Sequence, residues 1–316
     1  MTNDLATDCE IRLLARSDLD EADRIIRLAF GTYLKLPDPT TMFGDRDVVR
    51  NRYDNTSTVL GAYSGQKLLG INAVTRWGTL GWFGPLAVLP EYWDKGIAKK
   101  LMSSTMDLFS RWGTTAEGLF TFAESPKHVG LYHKFGFCAR FLTPIMTRPS
   151  LKTNQEYSTF SSLPSQQRED TLRSCNEITE GIYPGLSIRQ EILSVSTKKL
   201  GDTVLLMEEG RVEGFAVCHV GAGTEAGSDL CYVKFAAVPS NSNSTESFSK
   251  LVNSCIGFAA SKGVQKIEAG VNLGRSQAYE ALAGLGFTTL FQGVAMQRPN
   301  EPGYNRPDVF VIDDWR

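Results

Sequence analysis

Two short motifs occur twice along this chain at nearly equal spacing, and that spacing limits what the chain can fold into. Pro90 of Val88-x-Pro90 precedes Gly136-Phe137 by 46 residues, and Pro239 of Val238-Pro239 precedes Gly286-Phe287 by 47. Agreement over so long a span marks an internal duplication. A chain of 316 residues also exceeds the size that one core usually fills, so length and repeat both predict two domains of roughly 150 residues. The boundary is expected in the Ser/Thr/Pro/Asn-containing stretch Pro149 to Glu156. This gives a first domain over 1–148, a linker over 149–156 and a second domain over 157–316.

Apolar periodicity predicts a strand at Glu10–Leu14 and then a helix opened by the capping-box pattern Ser17-x-x-Asp20. Residues Gly31 to Gly44, with Pro37 and Pro39, form a long loop before a short helix at Asp45–Tyr53. Loops of that length often bind ligands, and part of an acceptor site is expected there. Strands at Thr58–Tyr63, Lys67–Trp77 and Trp82–Leu89 make an antiparallel meander. A helix at Gly96–Trp112, a strand at Gly118–Ala123, a helix at Lys127–Phe135 and a strand at Phe137–Met146 complete the first unit. The second half repeats this order, and a tail adds a short strand at Val309–Ile312. The fold class is mixed α/β of the α+β kind.

A net charge of −2 supplies no basic field for nucleic acid or anionic membrane. No stretch approaches the ~18 apolar residues of a membrane span, and Met1 to Glu10 lacks a signal-peptide pattern. A soluble, cytoplasmic protein is expected, as monomer or homodimer. The six cysteines form no CxxC pair, and the three histidines do not stand at metal-ligand spacing, so no metal is expected.

The chemistry is carried by Gly84-Pro85-Leu86-Ala87-Val88-Leu89-Pro90-Glu91-Tyr92-Trp93-Asp94-Lys95-Gly96-Ile97-Ala98-Lys99-Lys100-Leu101, a strand, a tight turn and an amphipathic helix. Free backbone N–H groups at a helix start bind a pyrophosphate when small residues let it approach. Gly96 and Ala98 give that access, and Lys95, Lys99 and Lys100 add positive charge. Taken alone, the turn reads as a plain strand-to-helix connection whose glycine eases a turn and whose lysines are solvated.

Together with Ser125-Pro126-Lys127-His128-Val129-Gly130-Leu131-Tyr132-His133-Lys134-Phe135-Gly136-Phe137, the turn resembles the GCN5-related N-acetyltransferase (GNAT) family over about Ile11 to Met146. The resemblance implies two tandem acyl-CoA N-acyltransferase-like domains, each with a bent, mostly antiparallel sheet whose fourth and fifth strands splay apart. It implies acetyl-CoA as co-substrate and direct acetyl transfer to an amine, with a small molecule as the expected acceptor. Leu86, Ala87 and Val88 would offer backbone to the pantetheine, and Asp94, Lys95, Gly96, Ile97, Ala98 and Lys99 would hold the pyrophosphate. Trp93 replaces the family's Gln or Arg.

Tyr132 matches the family's general acid, against the alternative of a tyrosine packed on the sheet. Ser125 falls where relatives place a cofactor-contacting asparagine. The base is open. Phe120 stands where some relatives carry glutamate, so Glu124 is the nearest carboxylate, though it reads first as a solvated strand-end charge, with a water chain or an amine that arrives deprotonated as further routes. His128 and His133, about 140° apart around a helix axis, both read as surface residues. Trp77, Trp82 and Phe83 read equally as pocket wall or core. A non-catalytic acyl-CoA-binding module is the rival reading.

In the second half, Ser240 to Ser247 has neither glycine nor lysine, and Glu246 adds negative charge. Counting back from Gly286 puts Leu282 in the place of Tyr132, whereas counting forward from Asn272 selects Tyr279. That half is expected to have lost cofactor binding and to cover the first sheet or contribute to the acceptor cleft.

Overall fold

The computed structural model describes residues 9–55, 57–152 and 155–316. Thr153 and Asn154 of the expected linker, and the N-terminal segment through Asp8, lie outside them. The first half runs β1 (Glu10–Leu13), α1 (Leu19–Tyr33), α2 (Val48–Asp54), β2 (Ser57–Ser64), β3 (Lys67–Trp77), β4 (Leu80–Val88), α3 (Ile97–Trp112), β5 (Ala116–Thr121), α4 (Pro126–His133) and β6 (Cys138–Pro149). The second repeats it as β7 (Ser158–Thr159), α5 (Ser165–Ile182), α6 (Arg189–Thr197), β8 (Gly201–Glu208), β9 (Arg211–Gly221), β10 (Gly227–Ala237), α7 (Ser244–Ser261), β11 (Lys266–Gly270), α8 (Ser276–Gly284) and β12 (Thr288–Arg298). A tail strand, β13 (Val311–Ile312), follows.

Both faces of the β2–β4 meander are covered. Leu19, Ala22, Ile25, Ile26 and Ala29, spaced by three and four, turn one stripe of α1 onto one face. Ile97, Leu101, Met102 and Phe109 of α3 seal the other. Ser17 does not cap α1, because the helix begins at Leu19 with Asp18 as N-cap and no side-chain cap bond. The Asp18 carboxylate is instead engaged by the Tyr63 hydroxyl at 2.7 Å.

The two halves do not form separate sheets. Among the described residues they share one 13-stranded sheet in which β12 lies between β5 and β6, and β6 lies between β12 and β11. The corresponding last strands have been exchanged. Thr143 of β6 faces Gly293 of β12 in an antiparallel register, while the outer edges of this central pair bond β5 and β11 of the opposite halves. Neither half therefore completes its sheet from its own residues.

A buried ion network fastens the same junction. Arg52 of α2 meets Glu225 at 3.0 Å, Lys234 of β10 meets Glu225 at 2.7 Å and Glu191 of α6 at 3.3 Å, and Trp77 donates to Glu191 at 3.0 Å. Arg52 also lies over the Trp82 ring. Trp77 and Trp82 thus belong to the core between the halves. Each charge there is desolvated, so losing one partner costs far more than the pair contributes over an apolar substitute.

Candidate functional site

β4 and β5 run parallel over Leu80–Phe83 against Ala116–Leu119 and pair no further. Beyond Gly84 they part. A cavity of about 1180 Å³ occupies the gap and reaches from the turn after β4 to residues of the second half. On its other edge β4 remains bonded to β3, and the Leu89 N–H donates to the Leu69 carbonyl at 2.9 Å. Antiparallel alternation then turns the polar groups of Ala87 toward β3 and those of Leu86 and Val88 into the gap.

After β4 the backbone enters the left-handed region twice, at Asp94 (φ 63°) and Gly96 (φ 80°). The Gly96 carbonyl accepts from the amides of Lys99 and Lys100, which opens α3 and leaves the first amides of the helix without intrahelical partners. Asp94, Gly96, Ile97, Ala98 and Lys99 all line the cavity. Lys95 does not, since its ammonium donates to the Glu91 carbonyl at 2.9 Å and rests over the Tyr92 ring. Trp93 takes a role that its family counterparts do not predict. Its indole donates to the Val88 carbonyl at 2.7 Å and so uses one of the backbone groups that faced the gap. Lys127 pairs with Asp94 at 2.7 Å and lies over Trp93, tying α4 to the turn.

Tyr132 is buried against Phe83, with ring centroids 5.5 Å apart, and burial pushes its phenol well above the ordinary value. The phenol is therefore protonated at neutral pH. Ser125 caps α4, accepting from the His128 amide, and also lines the cavity. Glu124 stands exposed at the rim.

His128 is not a surface residue. It is half-buried in the cavity wall, with its ring 5.0 Å from Tyr33 and 6.1 Å from Phe122. Desolvation lowers its pKa, so the imidazole is neutral near pH 7, and its Nδ1 has no hydrogen-bond partner among the described residues. Its spacing of four from Tyr132 puts both on one face of α4, a signal available in the sequence. His133 is exposed, as expected. Leu34, Met42 and Phe43 of the long loop line the cavity too. Arg27 of α1 fixes that loop by donating to the carbonyls of Met42, Gly44 and Arg46.

Residues 23–137, which carry the turn, the gap between β4 and β5, and α4, match the model of the acetyltransferase (GNAT) family. The matched residues run from α1 to the Gly136-Phe137 that follows α4, all within the first half. No curated protein matches the sequence. Among solved structures, a protein from Pyrococcus horikoshii assigned as an acetyltransferase is 15% identical, with 98% of this chain and 95% of that one covered and a TM-score of 0.65. A GCN5-related N-acetyltransferase from Sphaerobacter thermophilus is 12% identical over 92% and 95% of the two chains, with a TM-score of 0.60. A tandem GNAT protein from the clavulanic acid biosynthesis pathway is 13% identical over 92% and 98%, with a TM-score of 0.55. At such identities these structures establish the shared fold.

The second half of the chain has the same parallel pairing 150 positions further on, at Leu230 against Lys266 where the first half has Leu80 against Ala116. Its gap is filled. Ala236 and Ala237, the counterparts of Leu86 and Ala87, pair with Ile312 and Val311 of β13. The counterpart of the Asp94–Lys99 turn is also closed by its own side chains. Asn241 N–H donates to Ser244 Oγ and Asn243 N–H to Asn241 Oδ1, each at 2.8 Å. Leu282, fully buried, takes the position of Tyr132. Arg275, rather than Asn272, corresponds to Ser125, and it donates to the carbonyls of Val311 and Asp313.

The cavity is also lined by Arg52, Glu225, Tyr232, Glu268 and Arg316, to which no motif pointed. Arg316 pairs with Glu268 at 2.5 Å and Asp314 at 3.0 Å, and Arg52 donates to the Gly84 carbonyl where β4 and β5 part. Among the described residues, no helix is long and apolar enough to cross a membrane, and no group of three His, Cys, Asp or Glu side chains is placed to hold a metal ion.

Proposed function

We propose that the chain is an acetyl-CoA-dependent N-acyltransferase that transfers its acyl group directly to an amine. One observation carries this reading: an open gap between β4 and β5 runs from an unfilled helix-start amide nest to a buried tyrosine. The free backbone edge of Leu86 and Val88 fits a pantetheine arm. The amides of Asp94 to Lys99 fit a pyrophosphate, with Lys99 adding charge and Ser125 able to contact the arm.

Coenzyme A supplies an activated thioester with a thiolate leaving group. The protein must then move two protons. Tyr132, kept protonated by burial, donates toward the sulfur as the C–S bond breaks. The acceptor must attack as a neutral amine, and the proton it loses as the C–N bond forms leaves toward the cavity wall. There His128 offers a neutral imidazole, and Glu124 offers an exposed carboxylate at the rim. Water relays between these groups and the amine complete the path.

Ala98→Glu tests the assignment. An acidic side chain in the first helical turn is favourable or neutral for α3, yet it opposes a pyrophosphate at the same place. Coenzyme A binding by calorimetry should be lost while the melting temperature is retained. Gly96→Glu should abolish binding as well, but it also forces a β-carbon into a left-handed backbone and so loses stability. Undiminished affinity in a folded Ala98→Glu protein would place the phosphates elsewhere. Thiol release from acetyl-CoA across a panel of amines separates an enzyme from a module that only binds.

A further inference from the structure

Part of the cavity is a chamber walled by aromatic rings. Phe30 and Tyr33 at the end of α1, Phe43 in the loop and Phe122 after β5 form one contiguous set. Centroids are 5.5 Å apart for Phe30 and Phe43, 6.2 Å for Phe30 and Phe122, and 4.8 Å for Tyr33 and Phe122. From the second half, Phe291 meets Phe120 at 6.4 Å. Leu34, Leu290 and Phe291 are 42, 60 and 41% exposed, and all three line this one cavity. Large apolar side chains gathered at an opening mark the entry of an apolar ligand.

Charge points the same way. The buried ionisable groups of the chamber are already neutralised, Arg52 by Glu225 and Arg316 by Glu268. At the rim Lys127 neutralises Asp94. The charges left without an ion-pair partner among the described lining residues are Arg46, Lys99, Lys134 and Glu124, three cations against one carboxylate. That balance suits the phosphates of coenzyme A and opposes an acceptor with several positive charges.

We infer that the acceptor is a primary amine on an apolar body, aryl-alkyl or branched alkyl, seated among Phe30, Tyr33, Phe43 and Phe122. This rests on the acyl-transfer reading above. The amine nitrogen forms the new C–N bond as the thioester C–S bond breaks. One proton leaves the nitrogen and one reaches the thiolate, so the products are an amide and free coenzyme A. The same apolar wall would also suit a long acyl chain on the donor, and the experiment separates the two.

The test measures thiol release from acetyl-CoA with 2-phenylethylamine, isoamylamine, spermidine and kanamycin, and from octanoyl-CoA with the same amines. Calorimetric titration of 2-phenylethylamine into protein saturated with coenzyme A runs beside it. The two apolar amines should exceed spermidine and kanamycin by about 10-fold or more in kcat/KM, as expected for burying an aryl or branched alkyl group. Phe43 lies at φ 71°, where asparagine is better tolerated than phenylalanine, so Phe43→Asn removes the ring with the loop retained. It should raise the KM for 2-phenylethylamine roughly 5-fold or more and leave that for acetyl-CoA in place.

A preference for spermidine or kanamycin would overturn the inference and leave acyl transfer standing. Preferred use of octanoyl-CoA with no binding of 2-phenylethylamine would overturn it in favour of an acyl-chain site. If no amine is turned over, calorimetry decides. Binding of 2-phenylethylamine to the coenzyme A complex would support the chamber while refuting the enzyme, and no binding would overturn both.

Discussion

Arg275 donates to the carbonyl of Val311 at 3.1 Å, from the position in the second half that Ser125 holds in the first. Through this bond and its 2.8 Å ion pair with Asp313, a buried side chain pins the tail into the groove that corresponds to the open gap between β4 and β5.

Arg275→Met should lower stability by about 3–5 kcal/mol, because it strands the buried Asp313 carboxylate without its partner. Thermal melting is the measure of that loss. Coenzyme A should still bind once per chain, since the Ser240–Ser247 amides remain occupied by neighbouring side chains. A second equivalent site in the titration, in wild type or variant, would contradict the picture of a groove filled by β13.

Tyr132→Phe keeps the ring packed on Phe83 and removes only the hydroxyl. The acylation rate should fall about 10²- to 10⁴-fold with coenzyme A affinity unchanged. His128 adds a pH signature. Because burial lowers its pKa, the rate should be flat near neutrality and fall only on acidification below its ordinary value of 6.5. His128→Gln should lower the plateau and remove that acid limb. A Tyr132→Phe rate equal to wild type would leave the tyrosine as packing, and an unchanged pH profile in His128→Gln would remove the histidine from the proton path.

His219 gives a stability prediction of known sign. It is fully buried, and desolvation lowers its pKa from 6.5 to about 4 against the opposing pull of Glu225 and Glu191. Arg52 and Lys234 face it as well and push the same way as burial. The folded state therefore binds fewer protons than the unfolded chain between those values. Stability should be complete above pH 6.5 and decline by up to about 3 kcal/mol on acidification to pH 4. Denaturant midpoints across that range, compared with those of His219→Gln, isolate the contribution. A variant that declines as steeply as wild type would assign the loss to other groups.

What the sequence determined by itself is the local architecture of both halves. Lys67–Trp77 was legible to the residue as a strand, and α3 to within one position, because side-chain periods of 2 and 3.6 are written in neighbouring residues. The turn at Gly96 was legible for the same reason, since small residues and a left-handed backbone are local requirements. Tertiary structure decided which strands are neighbours. β6 and β12 carry like patterns, and nothing local distinguishes a partner in the same half from one in the other. It also decided that His128, one turn from Tyr132, faces a cavity, and that Arg52, Glu225, Glu268 and Arg316 meet beneath it. Arg52 and Glu225, 173 positions apart, come together only where two halves close on each other, because an ion pair leaves no periodic trace in the chain.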